Sequence, residues 1–153
     1  MEAVSLIEND TTIVIDTSTA HRTNEGWAYG FPELSVEMEN KLKNSNRIAV
    51  PGCYASGFIA LVKPLVDAGI VDKDICIACH AMSGYSGAGK NGIAQYEDEN
   101  RDTLLEAPRE YALTQQHKHL KEMKAISGLN NEPIFSPYIC DYFSGMVMTV
   151  PLF

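Results

Sequence analysis

Residues 47 to 69 read RIAVPGCYASGFIALVKPLVDAG, and this stretch decides the fold because it changes from strand to helix within a few positions. The short apolar run RIAV predicts a strand, and the Pro-Gly pair after it predicts a tight turn. Apolar residues then recur at the helical period, so we expect a helix with one buried face that ends at Gly69. Pro64 removes one backbone hydrogen bond within that helix and predicts a kink. Cys53 therefore lies where strand, turn and helix meet.

Further strands and helices are predicted on both sides of this stretch. TTIVID, at residues 11 to 16, is a β-branched run between polar residues and predicts a buried, parallel strand. Ser35 predicts the N-cap of a short helix, and Gly128 predicts the end of a helix that begins near Leu120. Three more strands are predicted in DICIACHAM, PIFSPYIC and GMVMTV, which begin at residues 74, 133 and 145. Because strands predominate in the second half, we expect an α+β fold with helices on one face of a sheet.

The composition limits the classes of partner and the cellular compartment. The 153 residues include 20 acidic and 12 basic ones, giving a formal net charge of -8, which disfavours nucleic acid and anionic membranes as partners. The chain has four cysteines, no basic-then-apolar leader and no long apolar run, which favours a reducing, cytoplasmic location. We therefore expect any bound anion to be held by a local arrangement of groups.

Two interpretations of Cys53 remain open on its position alone. The unpaired N–H groups and the dipole at the start of a helix would stabilise a thiolate, and so favour a nucleophile. Free cysteines are also among the most buried residues, so Cys53 could instead fill space in a turn. A nearby base would favour the nucleophile.

The segment TQQHKHLKEM, residues 114 to 123, offers such a base. His117 and His119 are two positions apart, so an extended segment would place both imidazoles on one face, with Glu122 close behind. Either histidine could act as the base. A structural or simply exposed histidine is the alternative.

Two further segments carry glycine or cysteine patterns. SGYSGAGK, residues 83 to 90, predicts a glycine-rich loop whose backbone could approach a phosphate or cofactor, although its spacing is not that of a P-loop. Cys76 and Cys79 of CIAC lie within a predicted strand, where alternation sends them to opposite faces. We therefore reject a shared metal or disulfide for this pair.

A positive cluster follows the first predicted strand. His21 and Arg22 lie in DTSTAHRT, at a strand end of the kind where open α/β sheets bind ligands. The planar guanidinium of Arg22 suits a carboxylate or a phosphate, and a surface arginine is the alternative.

Taken together, these segments resemble N-acetyl-gamma-glutamyl-phosphate reductase, an arginine-biosynthesis family related to aspartate-semialdehyde dehydrogenase. The shorter subtype of that family is the more similar one. The matching segments occur in the family's order and read DTSTAHRT, WAYGFPEL, VPGCYASGFIAL, SGYSGAGK, HKHLKEM and FSPYICDYFSGMVMTVPLF. The resemblance implies a catalytic domain like those of glyceraldehyde-3-phosphate dehydrogenase and aspartate-semialdehyde dehydrogenase, preceded by the tail of a Rossmann-type α/β domain. On this basis we assign residues 1–49 to the end of an NADP-binding domain and 50–153 to the catalytic domain.

The resemblance also implies a reaction and a role for each matching residue. Cys53 would attack the acyl phosphate of N-acetylglutamyl 5-phosphate to form a thioester, and hydride from NADPH would then release the semialdehyde. His117 or His119 would be the acid/base, with His117 preferred, and Glu122 would orient an imidazole. The substrate would be bound by Ser18, Arg22 and Gln116. The cofactor NADP(H) would lie against Ser83, Gly84, Ser86, Gly87, Ala88 and Gly89.

Two departures from the family pattern qualify these expectations. The family commonly has Thr-Pro where this chain has Leu120 and Lys121. Because a helix cap and a first-turn proline are therefore missing, the orientation of the Glu122 side chain is less constrained. The family's N-terminal glycine fingerprint and its final segment are both missing, so we interpret the chain as a central fragment whose full-length form is a homo-oligomer. The alternatives are an inactive, self-associating fragment, a reductase of aspartyl or aminoadipyl phosphates, and a cysteine hydrolase that needs no cofactor.

Overall fold

The computed structural model describes residues 2–152, and its contacts divide the chain into two compact units. The first unit contains the residues up to Ile75 together with Lys118–Glu132. The second contains Cys76–His117 together with the residues from Pro133 onward. The domain boundary expected between residues 49 and 50 stays a prediction, because these units reflect contacts within this chain alone.

The first unit contains a parallel sheet of three short strands. The strands are β1 (Val14–Asp16), β2 (Ala28–Tyr29) and β3 (Arg47–Ala49), in the order β1-β3-β2. The strand predicted in TTIVID is confirmed as β1, but the prediction that it is buried is wrong, since Ile15 is 64% exposed. Alternation along the strand directs Ile15 to a side that no described element covers.

The helices predicted after Ser35 and after the Pro-Gly pair are both present in the first unit. A short helix, α1, spans Glu2–Ser5, and α2 spans Val36–Lys43, with the Ser35 hydroxyl accepting a hydrogen bond of 3.2 Å from the backbone N–H of Met38. The helix α3 spans Cys53–Asp67 with Pro64 inside it. Gly69, at a φ of +67°, follows its end.

The core of this unit lies between α3 and a second helix, α5 (Leu120–Ser127). Residues of both helices are buried at the helical period, namely Phe58, Ile59, Val62 and Val66 of α3 and Leu120 and Met123 of α5. Gly128 ends α5 in the left-handed conformation, as predicted. This packing fixes the position of α5 relative to the start of α3.

The second unit contains a mixed sheet of four strands in the order β5-β6-β4-β7. The strands are β4 (Ala78–Gly84), β5 (Arg109–Glu110), β6 (Ile134–Cys140) and β7 (Met146–Thr149). Strands β4 and β6 are parallel, and β5 and β7 add to them in the antiparallel sense. The predicted strands β4, β6 and β7 and the α+β class are thus confirmed.

The segment expected as a glycine-rich loop is more regular than predicted. Ser83 and Gly84 complete β4, a 3-10 turn covers Tyr85–Ala88, and a helix, α4, spans Gly89–Glu97. The sequence does not predict α4 because its glycines lower the helix propensity. Two other 3-10 turns span Pro32–Leu34 and Thr103–Glu106. Within residues 2–152, no helix combines the length and apolar character needed to cross a membrane.

Candidate active site

Cys53 is the first residue of α3, and its side chain is exposed. The interpretation that it fills space in a buried turn is therefore wrong. Gly52 precedes it as the N-cap, with extended backbone angles of φ -72° and ψ 144°. The first N–H groups of a helix lack intrahelical partners and carry a partial positive charge, so they favour a thiolate at this position.

Gly52 is held on both sides by side chains of the same unit. Its backbone N–H donates a hydrogen bond of 2.8 Å to Oε1 of Glu122. A Cβ atom at this position would lie 2.6 Å from Nη1 of Arg22 and closer still to Nε2 of His119. An alanine methyl group at the residue before Cys53 would therefore require Arg22 and His119 to move.

Glu122, on α5, is a buried carboxylate with several hydrogen-bond donors around it. Glu122 is only 2% exposed to solvent. Oε1 accepts from the Tyr29 hydroxyl at 2.8 Å as well as from Gly52, and Oε2 accepts from Nη1 of Arg22 at 3.1 Å. Burial, followed by the nearby Glu122 carboxylate, raises the pKa of Tyr29 well above its ordinary value, so its hydroxyl remains a donor. The arrangement satisfies a buried charge that would otherwise be costly.

Arg22 directs its guanidinium at protein groups. Besides Glu122, its Nε donates to the Val50 carbonyl and its Nη2 donates to the Thr17 carbonyl, both at 2.9 Å. The residue is 9% exposed, so the alternative of a surface arginine is wrong. These contacts join the chain after β1 and β3 to α5.

The two candidate histidines lie in different compact units. His119 is buried in the first unit, beside Gly52 and with its ring centroid 6.0 Å from that of Tyr54. His117 belongs to the second unit, where its ring centroid is 5.8 Å from that of Tyr111 and 5.1 Å from that of Phe135. The prediction of an extended segment with both imidazoles on one face is wrong, because the chain turns here and His119 has helical angles of φ -88° and ψ -11°.

The other expected substrate-binding residues are exposed. Ser18 follows β1, where its backbone N–H bonds to the carboxylate of Asp16 and its hydroxyl accepts from the N–H of Ala20 at 3.2 Å. Gln116 lies in the second unit, next to a residue, Gln115, that exchanges two hydrogen bonds with the backbone of Phe135. Substrate binding by Ser18 and Gln116 stays a prediction.

His21 occupies a buried position near Ser18. Its ring stacks on Trp27 with centroids 4.0 Å apart, and its Nε2 lies 3.6 Å from Oδ2 of Asp16. The positive cluster predicted at His21 and Arg22 thus faces two carboxylates within its own unit, those of Asp16 and Glu122.

Of the six residues expected to bind the cofactor, three are exposed and the other three are buried or have their backbone N–H groups hydrogen-bonded within the protein. The N–H groups of Gly84, Tyr85 and Ser86 donate to the carbonyls of Gly145, Tyr142 and Phe143 at 3.0, 2.9 and 3.0 Å. Ser83 is buried, and its hydroxyl lies 3.5 Å from the Tyr138 carbonyl. The three remaining residues, Gly87, Ala88 and Gly89, are exposed and have side chains no larger than a methyl group. They fit a cofactor as a surface that allows close approach, whereas the N–H groups of residues 84 to 86 are already used.

Two features of these sites have no signal in the sequence. Tyr29 is 93 positions from Glu122, a separation at which no local pattern operates. Arg101 donates hydrogen bonds of 2.7 and 2.6 Å to the two carboxylate oxygens of Asp141, and so anchors the turn that carries Tyr142 and Phe143.

The free cysteines Cys76 and Cys79 are exposed and buried, respectively, and burial raises the pKa of Cys79 to about 12.

Comparisons with known proteins agree with this picture. The family model described as "Semialdehyde dehydrogenase, dimerisation domain" matches residues 53–153. The N-acetyl-gamma-glutamyl-phosphate reductase of Chelativorans sp. (strain BNC1) is 44% identical over 151 residues, which are 99% of this chain and 48% of that protein. The reductase of the same name from Brucella ovis is 46% identical over 154 residues, covering 99% of this chain and 50% of that protein. The chain spans about half the length of the curated relatives it matches.

The crystal structure of aspartate semialdehyde dehydrogenase II from Vibrio cholerae is similar in fold. The TM-score is 0.59 at 19% sequence identity, and the match covers 90% of this chain and 47% of that one. The expected resemblance in sequence and the expected likeness in fold are both confirmed. The chain belongs to the family of the semialdehyde dehydrogenase dimerisation domain.

Proposed function

We propose that this chain carries the cysteine site of an NADPH-dependent N-acetyl-gamma-glutamyl-phosphate reductase of arginine biosynthesis. The observation that supports this most is the exposed Cys53 at the start of α3, with the buried imidazole of His119 packed against Gly52, the residue before it. The Cys53 thiolate attacks the acyl carbon of N-acetylglutamyl 5-phosphate. A sulfur–carbon bond forms, the carbon–oxygen bond to phosphate breaks, and phosphate leaves with the electron pair.

His119 is proposed as the general acid/base in preference to His117. It shares a compact unit with Cys53, whereas His117 packs among aromatic rings of the other unit. The imidazole of His119 would accept the thiol proton before the attack. Glu122 is bonded to Tyr29, Arg22 and Gly52, so it supports the start of α3 in this proposal.

When bound, NADPH supplies the hydride that reduces the thioester to N-acetylglutamate 5-semialdehyde and returns Cys53 to its thiolate form. The exposed residues Gly87, Ala88 and Gly89 would allow its close approach. The relatives are named as reductases, which favours this reaction over the hydrolysis of an acyl phosphate by Cys53. A cytoplasmic location stays a prediction from composition.

Trapping of the acyl group on the chain tests the proposal without the need for cofactor. Incubation with N-acetylglutamyl 5-phosphate should add one N-acetylglutamyl group to Cys53, detected by mass spectrometry of peptides. Cys53→Ser should abolish the adduct, and Cys76→Ser, which removes the other exposed thiol, should leave it intact. An adduct on Cys76 to the same extent, or none on Cys53, would overturn the proposal.

The same experiment separates the related reactions. Aspartyl phosphate and an acetylated aminoadipyl phosphate serve as competing donors, and the mass of the adduct identifies the preferred acyl chain. Addition of NADPH should release the semialdehyde, whereas release of the free acid without cofactor would indicate a hydrolase. A stable thioester that NADPH cannot reduce would indicate that the chain captures the acyl group but needs further residues for reduction.

Self-association is the second part of the proposal, because the matching family model is described as a dimerisation domain. On one face of the second sheet, Met82 pairs with Val147 on one side and with Tyr138 on the other. Met82 is 41% and Val147 is 61% exposed, so this row presents apolar surface that a second copy could cover. Sedimentation velocity should show a dimer that Val147→Lys weakens. Leu104→Lys, at a similarly exposed apolar position in the Thr103–Glu106 turn, should have no such effect, and a monomer at every concentration would contradict this part.

A further inference from the structure

We infer that Tyr29, Arg22 and Glu122 form a positioning network that holds the start of α3 and so fixes the nucleophile. The inference rests on the proposed role of Cys53. It assigns a role to Tyr29 that neither the sequence pattern nor the family comparison indicates. It also assigns Arg22 a task within the protein, as a positioning residue and not as a ligand of the substrate.

The first step of the argument is the bond to Gly52. Oε1 of Glu122 accepts the Gly52 N–H and the Tyr29 hydroxyl, each at 2.8 Å. Because one oxygen atom joins the two donors, the hydroxyl fixes the carboxylate in the orientation that the Gly52 N–H requires. Hydrogen bonds to a buried carboxylate are among the stronger ones in proteins. The backbone immediately before Cys53 is thus tied to α5 through a single buried atom.

The second step is the charge. An unpaired carboxylate beside the N-terminus of α3 would oppose a thiolate at Cys53, because two negative charges would share the site. Nη1 of Arg22 lies 3.1 Å from Oε2 of Glu122 and balances it. Glu122 can therefore hold Gly52 without cancelling the electrostatic benefit of the helix start.

The third step is what the network is attached to. Arg22 bonds to the Thr17 carbonyl just after β1 and to the Val50 carbonyl just after β3, and Tyr29 is the last residue of β2. All three strands of the parallel sheet thus contribute at their carboxyl ends, where such sheets place their functional groups. With its guanidinium used in these contacts, Arg22 is suited to fixing the site.

Selective labelling of the cysteines tests this inference on the whole chain. The alkylation rates of Cys53 and Cys76, both exposed, are measured together at neutral pH with iodoacetamide and mass spectrometry of peptides. Tyr29→Phe removes only the hydroxyl that binds Glu122. We expect the ratio of the Cys53 rate to the Cys76 rate to fall roughly fivefold, as the loss of one such hydrogen bond implies.

Tyr96→Phe is the matched control. It removes the hydroxyl of another buried tyrosine, on α4 of the second unit, which has no hydrogen-bond partner among the described residues. The ratio should not change in this variant. A general loss of structure in the first unit would instead lower the midpoint of urea unfolding followed by the fluorescence of Trp27, which belongs to that unit, so this midpoint separates destabilisation from positioning.

An unchanged ratio in Tyr29→Phe would overturn the inference and leave the proposed nucleophile standing. If Cys53 in the wild type reacts no faster than Cys76, the proposed function itself is contradicted. Hydrogen exchange at the Gly52 amide then decides the network alone: protection that Tyr29→Phe removes would support it, and an unprotected amide would overturn it. Should Tyr29→Phe also lower that unfolding midpoint, Arg22→Lys, which keeps the charge without the planar fork, takes its place with the same readouts.

Discussion

The backbone nitrogen of Gly52 lies 2.8 Å from Oε1 of Glu122, 70 positions further along the chain. This bond joins the residue before Cys53 to the first turn of α5. The start of α3 is thereby defined by a side chain and not only by its local turn. Changes at Glu122 and at Gly52 should consequently affect both the stability of the first unit and the behaviour of Cys53.

Glu122→Ala should strongly destabilise the first unit. It removes the acceptor for three donors and leaves the buried guanidinium of Arg22 without its carboxylate partner, which costs about 3–5 kcal/mol of unfolding free energy. Urea unfolding followed by the fluorescence of Trp27, the one tryptophan of the chain, reports on this unit specifically.

Glu39→Ala is the control for that measurement. Glu39 forms an exposed ion pair with Lys43 on α2, four positions away, and such pairs contribute about 0.5 kcal/mol or less. Equal effects of Glu122→Ala and Glu39→Ala would mean that the buried network contributes little to stability.

Gly52→Ala should slow alkylation of Cys53 as well as destabilise the unit. The backbone angles of Gly52 suit any residue, so the penalty arises from the contact of the new methyl group with Arg22 and His119, and overpacking of this kind costs about 1–3 kcal/mol.

Gly69→Ala provides the opposite case. No atom lies within 4 Å of the added methyl group, but the φ of +67° disfavours alanine by about 1–2 kcal/mol. We expect Gly69→Ala to lower stability without changing the rate at Cys53. A similar loss of Cys53 reactivity in both variants would show that the effect follows stability alone.

Gly84→Ala should weaken the backbone hydrogen bonds that Tyr85 and Ser86 donate to the turn at Tyr142 and Phe143. A methyl group there would lie 2.6 Å from the carbonyl oxygens of Tyr142 and Phe143, which are backbone atoms that cannot move aside cheaply. Hydrogen exchange at the amides of Tyr85 and Ser86 should become faster. Gly87→Ala, whose methyl group would find its nearest neighbour 3.9 Å away, should leave both amides protected.

Asp141→Asn should remove a stabilisation that is present at neutral pH and absent in acid. Hydrogen bonding to Arg101 lowers the pKa of Asp141 below its usual value of 3.8, so the unfolded state takes up the proton more readily than the folded state. The pair therefore stabilises the fold above that value, and the benefit is lost as the pH falls through the lowered pKa.

Unfolding curves for wild type and Asp141→Asn, followed by circular dichroism, should accordingly differ at neutral pH and converge once the pH has fallen below the lowered pKa of Asp141. The difference should also shrink as salt is added, because both side chains are partly exposed. A constant difference across the pH range would contradict the assigned role of the pair.

The sequence predicted those elements whose signals are local. The Ser35 cap, the glycines at 69 and 128 and the apolar period of α3 all act within a few residues, and the structure has the helices where these signals place them. The sequence does not predict the helix α4, because two glycines in its first four residues lower the helix propensity.

The candidate site was predictable only in part, because its geometry depends on contacts between distant residues. Cys53 was identified from the strand, turn and helix around it, and the local structure is as expected. The relation of His117 to His119 was predicted wrongly, since it depends on whether the backbone turns before Leu120. The hydroxyl of Tyr29 meets Glu122 only through the packing of α5 on α3 and the nearby sheet.

The return of residues 118–132 to the first unit sets an order of events during synthesis on the ribosome. Arg22, Tyr29 and Gly52 emerge well before Glu122, which follows Gly52 by 70 positions. At ordinary translation rates this interval is roughly 4–14 s, during which the nascent chain carries the cysteine without the carboxylate that secures it. A newly made Cys53 therefore lacks the support of Glu122 during this interval, and should reach its full reactivity only after α5 has been made.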